Sequence, residues 1–128
     1  MYLKIPKSKS LVLIFSICLL NSNCDRKTDL ENQITIKVNS VDNKTKQPRL
    51  NTFDTIDVRI ESFGFPKKTF PKIAEYITDS SGSVKIKIDR TEKYQLLLGA
   101  PYVFGSEDIV GQNLKDGQEV TIEVIHLD

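Results

Sequence analysis

Residues 34–41, Ile34-Thr35-Ile36-Lys37-Val38-Asn39-Ser40-Val41, alternate apolar and polar side chains through Asn39. Successive side chains of a strand point to opposite faces, so Ile34, Ile36 and Val38 share one side and Thr35, Lys37 and Asn39 the other. This is how a strand with one buried and one wet face reads. The same period recurs in TIDVRIES, with Ile56, Val58 and Ile60 inward against Asp57, Arg59 and Glu61. It returns in SVKIKID through Val84, Ile86 and Ile88, and in VTIEVIHL through Val120, Ile122 and Val124. YQLLLGA is a more continuous apolar run, which suits a strand buried on both faces. A weaker strand is expected across Lys72 to Thr78. The mature chain shows no convincing helical stripe.

Between these runs lie residues that reverse a chain. DNKTKQP ends in Pro48, which has no N–H to give to a ladder; TDSSG supplies an Asx-turn former at Asp79 and a residue suited to positive φ at Gly82. Asp116-Gly117 is a favoured hairpin dipeptide just before the last strand. Short strands broken by such turns predict an all-β fold, a small antiparallel β-sandwich of about seven strands, over residues 34–128.

The N-terminal region obeys a different logic. Lys4, Lys7 and Lys9 precede the apolar run Leu11 to Leu20, and the first acidic residue is Asp25. A spanning helix needs roughly 20 apolar residues, about twice what this run offers. A basic segment followed by a short apolar one reads as a signal peptide. Cys24 falls where its cleavage site is expected. The arrangement resembles bacterial lipoprotein signal peptides, whose lipobox ends in a cysteine that receives a diacylglyceryl group and becomes the new N-terminus. The match is relaxed: Leu20 stands one place further back than usual, and Asn23 replaces the preferred Gly or Ala. The resemblance implies a signal peptide over 1–23, lipidation at Cys24 with palmitate-type acyl chains, and a short flexible tether over 24–33. Each buried CH₂ contributes about 0.8 kcal/mol, so one chain holds a bilayer marginally while several hold it durably.

Cysteine usage agrees. The only other cysteine, Cys18, leaves with the apolar run, and the remaining thiol has no partner for a disulfide. The plain alternative makes Cys24 an ordinary residue of an N-terminal tail. The chain beyond the leader is long enough for one domain with a modest core.

The folded part also resembles a family. Asp42-Asn43-Lys44-Thr45-Lys46-Gln47-Pro48 is similar to the D-x-x-T-G-x-P turn of carboxypeptidase regulatory-like, or transthyretin-like (prealbumin-like), sandwiches. Thr78 to Ile86 resembles that family's T-D-x-x-G strand entry, and Tyr94 to Leu98 with Ala100-Pro101-Tyr102 its Y-x-L-x-V strand and the turn after it. The departures are Lys46 in place of Gly, and two long segments, Ser62 to Ile77 and Val103 to Gln118. The resemblance implies a non-catalytic domain for adhesion, stability or partner contact.

Composition narrows the chemistry. The formal net charge is +1, and removing the leader lysines leaves a slight acidic excess, without the basic stripe that a phosphate backbone requires. Nucleic acid is therefore not an expected partner. Lys67 and Lys68, with Lys72 nearby, form the densest basic patch and read as a solvated loop face. His126 is the sole histidine and reads as a strand-end side chain, so neither a Ser-His-Asp triad nor a closed zinc shell is expected. Asp79, Glu107 and Asp108 match no EF-hand pattern, and no metal or cofactor is expected.

The long segments, where binding residues commonly sit, hold Phe63 and Phe65 around Gly64, and Tyr102 and Phe104 before Gly105. These four are a candidate aromatic contact patch if they gather at one end of the sandwich. The competing reading makes them caps closing the open ends of the core. The expected protein is a non-enzymatic module anchored to a lipid bilayer through acylated Cys24 and meeting an envelope protein or glycan. The alternative is a structural subunit docking through an edge strand. Its expected place is the bacterial cell envelope, the outer membrane ahead of the inner.

Overall fold

The computed structural model describes residues 31–128. The leader, Cys24 and most of the tether lie outside the described residues. Gln33–Asp128 forms one compact unit. Its strands are β1 (Gln33–Asp42), β2 (Thr55–Ile60), β3 (Lys72–Ile77), β4 (Ser83–Asp89), β5 (Lys93–Ala100), β6 (Val103–Val110) and β7 (Glu119–His126), with one 3₁₀ turn at Gly111–Asn113. They hydrogen-bond in the order β3-β2-β5-β6-β7-β1-β4.

The expected alternation places the core. Ile34, Ile36 and Val38 of β1, Ile86 and Ile88 of β4, and Val120, Ile122 and Val124 of β7 are buried from one side. Ile56 and Val58 of β2, Tyr94, Leu96 and Leu98 of β5, and Val103 and Ile109 of β6 are buried from the other. The two sets belong to one continuous hydrophobic cluster. At about 1.5–3 kcal/mol for each fully buried aliphatic side chain, this cluster is the main force holding the layers together.

A single corner joins the layers. β6 pairs with β7 only through Val103–His126, Phe104–Ile125 and Gly105–Val124, although both strands continue well beyond. Gly105 lies at the turning point. A Cβ there would sit 2.7 Å from Ile122 Cγ2 and 2.9 Å from the Glu123 carbonyl oxygen, so only glycine permits this approach. Past it, β6 pairs with β5 alone, Ser106–Val110 facing Lys93–Leu97.

Three expectations need correction. The sheet is not wholly antiparallel: β1 and β7 run side by side in the same direction, Lys37 beside Glu119 through Asp42 beside Val124. The segment Val103 to Gln118 is not a long loop, because its first half is β6. And β5 is not buried on both faces: Gln95 and Leu97 are half-buried on the outer surface, where Leu97 lies between Asp57 and Ser106.

Strand directions define two ends. β1 enters at the end where Gln33 pairs with Asp89 and leaves at the opposite end beside Val124. The Gln33 end also holds the finish of β2 and the start of β5, since Asp89 N–H donates to Tyr94 Oη at 2.8 Å and Tyr94 pairs with Ile60. The far end holds the β3–β4 and β5–β6 turns and the finish of β7.

Candidate contact surfaces

The four aromatic residues are all exposed but do not gather. Phe63 is 80% exposed and Phe65 fully so, in the β2–β3 loop that leaves the sheet at the Gln33 end. Tyr102, 79% exposed, and Phe104, 42% exposed, stand at the far end in the β5–β6 turn and the start of β6. The register of β5 is the reason: Tyr94 faces Ile60 at one end of that strand, and Ala100 faces Val103 at the other. A single patch of Phe63, Phe65, Tyr102 and Phe104 is therefore replaced by two separate groups, and their exposure argues against caps on the core. Cys24 lies outside the described residues.

The far group is larger than its two aromatics. Phe104 pairs directly with Ile125 on the outer face, and beside Phe104 on its other flank is Gly99, which has no side chain to cover the ring. Leu127 N–H donates to the Tyr102 carbonyl at 2.8 Å, bringing Leu127 to the same place. Ile125 and Leu127 are both exposed. Tyr102 comes after Pro101 and has φ 67°, a left-handed conformation in which an aromatic side chain is strained and glycine is usual. Sequence reasoning missed Ile125 and Leu127, and the signal was available: VIHL places an apolar residue on the outward register of the last strand.

At the same end of the sheet the β1–β2 connection is fastened by polar side chains. Arg49 Nε and Nη2 donate to Asp54 Oδ2 at 2.8 Å and Oδ1 at 3.1 Å, a bidentate pair. Thr52 Oγ1 donates to Asp54 Oδ2 at 2.8 Å, and Asp54 N–H donates to Thr78 Oγ1 at 2.8 Å. The Asp54 side chain is only 3% exposed. Burial pushes its carboxyl upward, but hydrogen bonds from Arg49 and Thr52 outweigh that and hold it below the usual carboxylate range. Ser40, fully buried, donates from N–H and Oγ to the Gly82 carbonyl at 2.8 and 3.1 Å. Gly82 has φ 80°, and a Cβ there would lie 2.7 Å from the Arg49 carbonyl oxygen. The turn before β4 thus rests directly on the β1–β2 connection.

Two local expectations can be located. Asp79 Oδ1 accepts from Ser81 N–H at 2.9 Å, Ser81 Oγ at 2.6 Å and Ser83 N–H at 3.1 Å, as a turn former does. Lys46 takes φ 60°, a left-handed conformation that glycine adopts more readily than lysine. Nearby, Asp42 accepts from Lys44 and Thr45 N–H at 2.9 and 3.0 Å and lies 2.7 Å from His126 Nε2. The bond to His126, then that from Thr45, holds the Asp42 carboxyl far below its ordinary range. His126 is thus half of a clasp between the ends of β1 and β7.

At the Gln33 end, the β2–β3 loop is closed by its own backbone. Ser62 and Thr69 exchange N–H···O bonds of 2.9 and 3.0 Å, and Glu61 N–H donates to the Lys93 carbonyl at 2.9 Å. Lys68 Nζ bonds Glu61 at 2.8 Å and lies 5.4 Å from the centre of the Phe63 ring. Asp116-Gly117 forms the expected tight turn before β7, Gln118 N–H donating to the Lys115 carbonyl at 3.1 Å with Gly117 at φ 81°, but β6 and β7 do not pair as a hairpin beside it. The turn is tied to β1, where Thr35 N–H donates to Asp116 Oδ1 at 2.8 Å and Gly117 N–H donates to the Thr35 carbonyl at 2.7 Å, continuing the side of β1 that β7 occupies from Lys37 onward.

Among the described residues, no group of three or more His, Cys, Asp and Glu side chains could hold a metal ion, and no helix is long and apolar enough to cross a membrane. The chain matches no known family model and no curated protein.

Proposed function

We propose that the protein is a lipid-anchored lipoprotein of the bacterial cell envelope, most consistent with the outer membrane, whose transthyretin-like sandwich is a non-catalytic interaction module. The anchor is Cys24, and the contact surface for an envelope protein or glycan is the far group of Tyr102, Phe104, Ile125 and Leu127. The observation that carries this reading is the contiguity of those exposed apolar side chains, Phe104 and Ile125 on paired strands and Tyr102 and Leu127 just beyond the strand ends, at the end opposite Gln33. A contiguous apolar patch with a polar surround is how many protein interaction sites begin. Strain held at Tyr102 fits the same role, since strained backbone is retained where the surroundings enforce it and often marks a contact site.

Two measurements test the parts separately. Metabolic acyl labelling is expected for wild type and lost in Cys24→Ala; an unlabelled wild type removes the anchor. Crosslinked capture from intact envelopes is expected to return a component that is lost with Tyr102→Ser plus Phe104→Ser. Equal capture by both proteins removes the contact surface.

A second reading rests on the sheet ends. β3 and β4 are the terminal strands of the hydrogen-bonded order and do not pair with each other, so each leaves a free edge. A structural subunit could use the β4 edge to extend a partner's sheet. Outward Lys85 and Lys87 oppose that use, as charges on edges commonly prevent strand addition.

A further inference from the structure

We propose that the β2–β3 loop is a second membrane contact, seating Phe63 and Phe65 in the headgroup region of an anionic phospholipid surface. The inference rests on the lipid anchor at Cys24. It assigns to these two aromatics a partner different from that of the far group.

Position is the first support. The loop leaves the sheet at the end where β1 begins, through the successive pairs Gln33–Asp89, Asp89–Tyr94 and Tyr94–Ile60. Gln33 follows Cys24 by nine residues, so the two lie at most about 32 Å apart even with the chain fully extended. An anchor this short keeps the Gln33 end of the domain near the lipid, whereas the far group stands a full strand length further away.

Chemistry is the second. Two phenyl rings held in water, on a loop fixed by the Ser62–Thr69 backbone pair, are apolar surface without a protein partner among the described residues. Between Ser62 and Pro71 the loop contains Lys67 and Lys68 and no acidic residue. Apolar side chains flanked by lysines are the composition that binds an anionic interface, the rings entering the acyl boundary and the ammonium groups staying at phosphate level. Most charged groups next to the loop are already paired: Lys68 with Glu61, Lys72 with Asp57 and Glu75, and Arg59, which donates to the Phe70 carbonyl, lies 3.9 Å from Asp57. Lys67 has no ion pair among the described residues. Lys67 is therefore the cation of this loop left to meet lipid phosphate.

The chain has no tryptophan, so a single substitution supplies a unique probe. The full lipidated chain carrying Phe65→Trp is reconstituted with phosphatidylglycerol-containing vesicles, beside a second chain carrying Tyr102→Trp. The expected result for F65W is a blue-shifted emission and loss of most intensity when the acyl chains are brominated, with Y102W unshifted and unquenched. Flotation of the same samples reads the anchor independently. Vesicles that float with F65W unquenched overturn the loop contact and leave the anchor standing, freeing the loop for a protein partner. Quenching of both variants overturns it as well, because the domain then lies without a preferred end. Protein that fails to float overturns the anchor and, with it, this inference.

Discussion

Asp54 is the residue on which the far end turns, because its carboxylate is buried and satisfied almost wholly by Arg49 and Thr52. Breaking a buried pair leaves an uncompensated charge, so Arg49→Met is expected to cost about 3–5 kcal/mol, read by urea denaturation. The pH dependence has a definite sign. The folded Asp54 carboxyl is lowered, so its contribution is complete above the ordinary carboxylate range and is lost as pH falls through the lower folded value. In R49M that value is no longer held down, and acid unfolding is expected to begin at higher pH. Tyr102 makes the opposite case. Its left-handed φ costs about 1–2 kcal/mol, part of which glycine returns as entropy to the unfolded chain. Tyr102→Gly is therefore expected to raise stability by about 0.5–1 kcal/mol while weakening capture of a partner. A variant that is destabilised, or that captures equally well, contradicts the role given to this side chain. Neither residue was distinguished by its local sequence in this way. Arg49 and Asp54 sit in a connection without periodicity, and their pairing depends on Thr78 arriving from another strand.

At the scale of elements, four of the seven strands are plain in their alternating Ile and Val residues, and the weak signal over Lys72 to Thr78 corresponds to β3. β5 is also recognisable, though its outer face is half-exposed. β6 is hidden, and the reason is physical. Its sequence VFGSEDIV should turn Val103, Gly105, Glu107 and Ile109 to the core, yet a glycine and a glutamate hold the middle two places. Gly105 has no side chain because β7 lies against it, and Glu107 is tolerated because β6 has by then left β7 and is exposed. Gly105→Ala forces a methyl into Ile122 and the Glu123 carbonyl and is expected to destabilise by about 1–3 kcal/mol in thermal or chemical unfolding. The β4 edge yields a different expectation. Replacing outward-facing Lys85 and Lys87 with valine removes the charges guarding a free edge, and self-association measured by sedimentation is expected to rise. An unchanged monomer would show that the edge is protected by something else.

The molecule as a whole has a direction that the sequence does not reveal. Each aromatic pair could be found in the chain, but which end of the sheet each occupies depends on strand order, and strand order is a property of long-range pairing rather than local pattern. The parallel pairing of β1 with β7 is the clearest instance, since turns signal reversals between neighbours and carry no information about the first and last strands. That pairing also bears on how the domain carries load. If Cys24 is held by lipid and a partner is held at the far group, tension enters β1 along its own axis. β1 lies between β4, paired over Gln33–Asn39, and β7, paired over Lys37–Asp42. Pulling along that axis shears both ladders together instead of peeling their bonds apart one at a time, so the first strand acts as a tensile splint between anchorage and cargo.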